Sequence, residues 1–202
     1  MAFVDYTARE INCKLVYWGP GMSGRTTNMQ YIYNKTRPEH RTKLISLATE
    51  NERTMFFSFA AQWLSPIRGL GLRFHPYTVP GSRYYEVSLR LVLKGVDGIV
   101  FVADSQPERH EANVGSLEVL KSNLATYGYD LRDCPLVMQY NKRDMPGASS
   151  VADLDALLRT GERPRFEAVA TTGFGVFDTL HAITGEIATR LRKDAEASVG
   201  RP

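Results

Sequence analysis

The sequence predicts an α/β fold, a central and mostly parallel sheet of about six strands with helices on both faces. Three observations lead there. Strand-like and helix-like patterns alternate along the 202 residues, as βαβ units require. A glycine-rich run, Gly19-Pro-Gly-Met-Ser-Gly24-Arg25-Thr26, lies between the first strand pattern and the first helix pattern. A second motif, Asn141-Lys142-Arg143-Asp144, closes an apolar strand pattern, at the end of the sheet where ligands bind in open α/β folds.

In chain order, residues 11–18 read as the first strand and residues 26–34 as a helix. Residues 44–49 read as a short strand, and residues 72–79 as another, alternating around Phe74 and Tyr77. Residues 84–94 form a helix candidate stopped by Gly95. Residues 98–104 are continuously apolar, the pattern of a strand covered on both faces. Residues 108–127 give the longest helix, ended by Gly128, and residues 135–141 a second buried strand. A short strand over 165–170 precedes an amphipathic helix over 174–193, with Val176, Phe177, Leu180, Ile183, Ile187 and Leu191 on one face. Two stretches are less regular: 51–71, rich in aromatics (Phe56, Phe57, Phe59, Trp63), and 146–164, with a short helix over 151–159. The aromatics read as core, the alternative being a contact surface beside Arg53 and Thr54. The organisation is one domain over 1–193 and a flexible tail over 194–202.

Hydrophobic content of 43% and charged content of 23% suit a soluble fold. The net charge of +3 comes without a long basic run, so nucleic acid is not a predicted partner. Cys13 and Cys134 cannot build a disulfide framework and read as buried thiols of a reducing compartment. His40, His75, His110 and His181 lack ligand spacing. No signal peptide, membrane-spanning run or lipid-anchor motif is legible; Ala2 follows the initiator, and the chain ends Gly200-Arg201-Pro202. These features predict a cytoplasmic protein without direct membrane insertion.

The glycine-rich run has the P-loop spacing of glycine, four residues, glycine, a basic residue and a hydroxyl. Gly19, Gly21 and Gly24 let the backbone turn so that N–H groups, including those of Met22 and Ser23, point at phosphate oxygens. The helix beginning near Arg25 adds its positive N-terminal end, and Thr26, beside Thr27, offers a hydroxyl to Mg²⁺. The alternative is an ordinary glycine-rich strand-to-helix turn. The pattern calls for lysine where this chain has Arg25. Arginine keeps the charge on a bulkier planar fork, which either crowds a loop built for lysine or swings outward. Weakened nucleotide affinity follows in either case.

In the second motif, the Asp144 carboxylate matches the N1–H and exocyclic amine of guanine and rejects adenine, and Lys142 lays its stem along the base. Ala170-Thr171-Thr172 stands where a second base-contacting loop belongs.

Around these sites, Thr49-Glu-Asn-Glu-Arg53-Thr54, Tyr77-Thr-Val-Pro-Gly81, Phe101-Val-Ala-Asp104-Ser, Gln30-Tyr-Ile-Tyr-Asn-Lys35 and the Asn141 motif together resemble the bacterial Ras-like small GTPases of the MglA type, polarity switches of gliding and pilus-driven motility. The resemblance runs from Arg9 to about Ala188. It implies GTP/GDP and Mg²⁺ as cofactors. Thr54 is similar to the switch threonine that touches Mg²⁺ and the γ-phosphate, Arg53 to a built-in arginine finger, and Thr78 to the residue replacing a Mg²⁺-linked aspartate. It also implies a roadblock-type (MglB-like) regulator, polarity or motility effectors, and recruitment to a cell pole by partners. After Pro80-Gly81 the family carries a water-orienting glutamine, and this chain has Ser82. Serine is too short to hold that water, so hydrolysis is slowed or lost.

The reading is therefore a guanine-nucleotide switch with impaired hydrolysis. Two alternatives stay open: a pseudo-GTPase scaffold that holds GTP permanently or no nucleotide, and a P-loop ATPase or kinase, against which the Asn141 motif argues.

Overall fold

A computed structural model describes residues 2–48, 53–79 and 86–199. Strands β1 (Phe3–Asp5) and β2 (Glu10–Trp18) precede helix α1 (Arg25–Lys35). Strands β3 (Ile45–Ala48), β4 (Arg53–Phe56), β5 (Phe59–Ala60) and β6 (Gly71–Thr78) follow, then α2 (Glu86–Leu93), β7 (Gly98–Asp104) and α3 (His110–Ala125). Strand β8 (Leu136–Asn141), α4 (Val151–Leu158), β9 (Arg165–Glu167) and α5 (Val176–Val199) complete the chain.

All strands join one sheet in the order β3-β4-β6-β2-β7-β8-β9, with β1 on β2 and β5 on β6. Its centre, β6-β2-β7-β8-β9, is parallel, and β1, β3, β4 and β5 pair antiparallel. The fold class agrees with the sequence reading, but among the described residues the sheet has nine strands rather than about six. The additional ones are β1, β4 and β5, all of four residues or fewer, too short for a two-residue period to declare itself. Helix α5 also ends at Val199 instead of Lys193. Residues 194–199, read as tail, continue it, and Arg68 and Arg192 tie it to the preceding chain through the Ala195 and Ser65 carbonyls.

Strands β7 and β8 are buried at every position, because helices cover both faces of a parallel sheet. Alternation then sends Leu15, Tyr17, Val100, Val102 and Val137 toward the α1–α5 layer. Val16, Trp18, Ile99, Phe101, Met138 and Tyr140 go to the opposite layer with Leu117, Leu120 and Leu154. Phe57 and Phe59 are core, as read from sequence, whereas Trp63 is 40% exposed, stacks on Phe59 and meets His181 at a tilt. Cys13 is buried and Cys134 partly so, and both thiols are free; burial pushes them up to about 12 and about 11, so both stay protonated. This topology places the C-terminal ends of β2, β7 and β8 side by side.

Candidate nucleotide site

The glycine-rich loop leaves β2 at Trp18 and enters α1 at Arg25. Gly19 has φ +149, and a Cβ there would sit 2.2 Å from the Val102 carbonyl oxygen. Gly24 has φ +103, and its Cβ would sit 2.1 Å from Asn141 Nδ2. Only glycine meets both conditions. Ser23 N–H closes a turn on Pro20 O at 3.2 Å, and Met22 takes φ +64 with its side chain 80% exposed. Helix α1 has no side-chain cap and no acidic residue in its first turn, so its N-terminal amides face the loop. Ser23 Oγ is buried without a hydrogen-bond partner among the described residues. An uncapped helix, a cradle shut to any Cβ and an orphaned hydroxyl all suit a phosphate group.

Asn141 braces this loop. Its Nδ2 donates to Ser23 O at 2.7 Å and its Oδ1 accepts from Ala170 N–H at 2.9 Å. One amide at the end of β8 thus fixes the phosphate loop against the Ala170-Thr171 loop. Lys142 follows with φ +65, and its Nζ pairs with the fully buried Asp104 carboxylate at 2.6 Å. Arg143 turns away, Nε donating to Glu167 at 2.7 Å and Nη1 to Ser149 O at 2.5 Å. Asp144 remains exposed in the turn beyond, as does Thr171. Lys142 and Asp144 thus follow directly on the residue that braces the glycine-rich loop.

Arg25 takes neither course foreseen for it. It is 7% exposed, and its Nη1 donates to Val79 O at 2.6 Å, just past the end of β6. Thr26 and Thr27 are partly buried in the first turn of α1, and Thr54 is partly buried on β4, against which α1 packs. Thr78 Oγ1 accepts from Met55 N–H at 2.8 Å, holding β4 to β6. For Arg53 the backbone pairs with Ala48, and nothing further is described. Gly81 and Ser82 lie outside the described residues.

Other polar groups around the site escape motif reading. Arg109 Nη2 donates to Gly21 O at 2.7 Å, and its Nε lies 3.7 Å from Asp104. Asn28 Nδ2 donates to Gly24 O at 3.0 Å, and Gln139 Nε2 donates to both Asn28 Oδ1 and Thr179 Oγ1 at 3.0 Å. Gln139 stands two residues before Asn141 on the same strand face, so one amide of β8 links α1 to α5 and the next links the loops that precede them. A glutamine inside an apolar strand was the available signal.

No family model matches the chain. Among curated proteins, it is 57% identical over 193 residues to the mutual gliding-motility protein MglA of Myxococcus xanthus (strain DK1622), covering 96% of this chain and 99% of the relative. ADP-ribosylation factor-like protein 6 of Caenorhabditis briggsae is 28% identical over 188 residues, covering 89% of this chain and 87% of the relative, and that of Caenorhabditis elegans is 27% identical. The near full-length identity, the parallel sheet and the glycine-rich loop agree: the chain belongs to the MglA family of Ras-like small GTPases.

Proposed function

We propose that the protein is a guanine-nucleotide switch acting in gliding motility and cell polarity, with GTP hydrolysis that is slow in the isolated chain. The observation that carries the nucleotide reading is the Asn141 amide joining Ser23 to Ala170, since it sets the phosphate loop and the base-side loop at a fixed spacing. Gly19, Gly21, Met22, Ser23, Gly24, Thr26 and Thr27 would hold the phosphates, and Lys142, Asp144 and Thr171 the base. Thr26 and Thr54 would hold Mg²⁺, which supplies charge neutralisation between the β- and γ-phosphates. The motility assignment rests on the name of the Myxococcus relative.

Arg53 would neutralise charge on the transferring phosphoryl group, and Ser82 cannot orient water as glutamine does. A roadblock-type regulator of the MglB kind would act on the switch segments, and polarity effectors would read them. The protein would work in the cytoplasm and reach a cell pole through partners; no helix among the described residues is long and apolar enough to cross a membrane. The Arg25 bond to Val79 favours a second reading, a pseudo-GTPase scaffold, because it draws the P-loop cation toward the protein backbone.

Titration of nucleotide-free protein with fluorescent GDP and GTP in Mg²⁺, with unlabelled ATP and GTP as competitors, tests the proposal. Binding displaced by GTP and not by ATP supports the switch. Absence of binding at high concentration rejects it in favour of the nucleotide-free scaffold.

A further inference from the structure

We infer that Asp104 is a positioning residue for base binding: its buried carboxylate fixes Lys142 so that the lysine stem is held ready to lie along a purine ring. The inference rests on the reading that Lys142 serves a guanine base, and it names the residue through which that service works.

Sheet register brings the two together. Asp104 ends β7 and pairs with Asn141 at the end of β8, so Lys142 is the first residue beyond the strand. Lys142 takes φ +65, a conformation that a residue with a side chain keeps only where its surroundings hold it. The holding group is Asp104, whose Oδ2 lies 2.6 Å from Lys142 Nζ. The Gln106 side-chain oxygen adds a longer contact at 3.3 Å. The backbone is thus fixed at one end of the stem and the ammonium at the other. Such a stem has already lost the rotamer freedom that an exposed lysine would give up on binding.

Asp104 is itself held at each of its polar atoms. Its N–H donates to Asn113 Oδ1 at 3.0 Å, and its carbonyl accepts from Asn113 Nδ2 at 2.8 Å. Its Oδ1 accepts from Gln106 N–H at 3.2 Å, and its Oδ2 serves the lysine. Asp104 and Asn113 are fully buried, whereas the Lys142 side chain is 27% exposed. A carboxylate shut away from water requires a counter-charge. Arg109 is a second cation nearby, but its Nε is 3.7 Å away and its Nη2 donates to Gly21 O at 2.7 Å. Lys142 is the nearer counter-charge. The pair joins a rigid buried anchor to a stem that reaches solvent.

A double-mutant cycle on GDP affinity in the full chain tests this, with Asp104→Asn, Lys142→Met and both together. Displacement of fluorescent GDP in Mg²⁺ gives each affinity, and thermal unfolding without nucleotide fixes a temperature at which every variant is folded. Asp104→Asn keeps the shape and removes the charge. It should weaken GDP binding about tenfold, and the double variant should bind no more weakly than Lys142→Met alone. If Asp104→Asn does not fold, Asn113→Ala, which loosens the Asp104 backbone and leaves both charges, takes its place in the cycle with the same expected result. A variant that melts lower yet binds GDP as the unmodified chain does makes Asp104 a purely structural residue and overturns the inference. Losses that multiply in the double variant overturn it too. Unchanged affinity in Lys142→Met overturns it by removing the lysine from the base site. Absence of GDP binding by the unmodified chain rejects the nucleotide reading, and the inference with it.

Discussion

Asn141→Ala separates bracing from base recognition. The Asn141 side chain is 2% exposed and makes two buried hydrogen bonds, to Ser23 O at 2.7 Å and from Ala170 N–H at 2.9 Å. Alanine leaves both backbone groups without their partner. Each buried polar group so stranded costs about 1–3 kcal/mol, giving a loss of roughly 2–6 kcal/mol for the pair, with the lower figure applying if water enters the space. For a domain of this size 1 kcal/mol corresponds to about 2–4 °C, so thermal unfolding of nucleotide-free protein should shift down by roughly 4–24 °C. Asn141→Asp is the companion variant. It keeps an acceptor for Ala170 N–H but turns a carboxylate oxygen toward the Ser23 carbonyl, and it should be no more stable than the alanine. The assay is circular dichroism or scanning calorimetry without nucleotide. A midpoint within about 2 °C of the unmodified protein, with nucleotide affinity nonetheless lost, would refute the bracing role and leave Asn141 as a ligand contact alone.

Three further predictions concern Gly24, Ser82 and His75. Gly24→Ala combines φ +103 with a Cβ 2.1 Å from Asn141 Nδ2, so it should cost about 1–3 kcal/mol in backbone strain; combined with Asn141→Ala the loss should be smaller than the sum of the two, and strict additivity in thermal unfolding would contradict the contact. Ser82→Gln should raise the single-turnover rate of GTP hydrolysis, and rapid turnover in the unmodified chain would show that Ser82 is not limiting. Burial, with Arg73 adding to it and Glu10 opposing, lowers the His75 pKa from 6.5 while its Nε2 lies 2.7 Å from Asn12 Oδ1. The neutral imidazole is therefore the native form, the unfolded chain takes up more protons, and stability is full above pH 6.5 and falls as pH drops through the folded-state value; His75→Gln should flatten the pH dependence of the melting midpoint, and an unchanged slope would rule the residue out.

How far the sequence is legible depends on which physical signal each element carries. β7 and β8 are buried along their whole length, so their apolar runs mark them, with the base motif following at the proper end of the sheet. The glycine spacing marks the phosphate loop because backbone geometry admits no other residue at Gly19 or Gly24. β4 and β5 carry no such signal. They exist because β3 and β6 offer them edges, a property of the assembled sheet and not of four consecutive residues. Arg25 is legible as a departure from the motif, yet its destination at Val79 depends on where β6 ends, 54 positions on.

The loop carbonyls show how the glycine-rich loop is held in place. Gly21 O is held by Arg109, Ser23 O by Asn141 and Gly24 O by Asn28, and Asn28 is in turn held by Gln139. The phosphate loop is therefore braced from Arg109 just before α3, from β8 and from its own helix, and none of these three braces is made by residue 25. Exchanging lysine for arginine redirects a charge without removing any of them. A chain built this way can keep its shape and its base-side loop while affinity and turnover drift separately. Their separation is measurable, because affinity should respond to residue 25 and hydrolysis to residue 82.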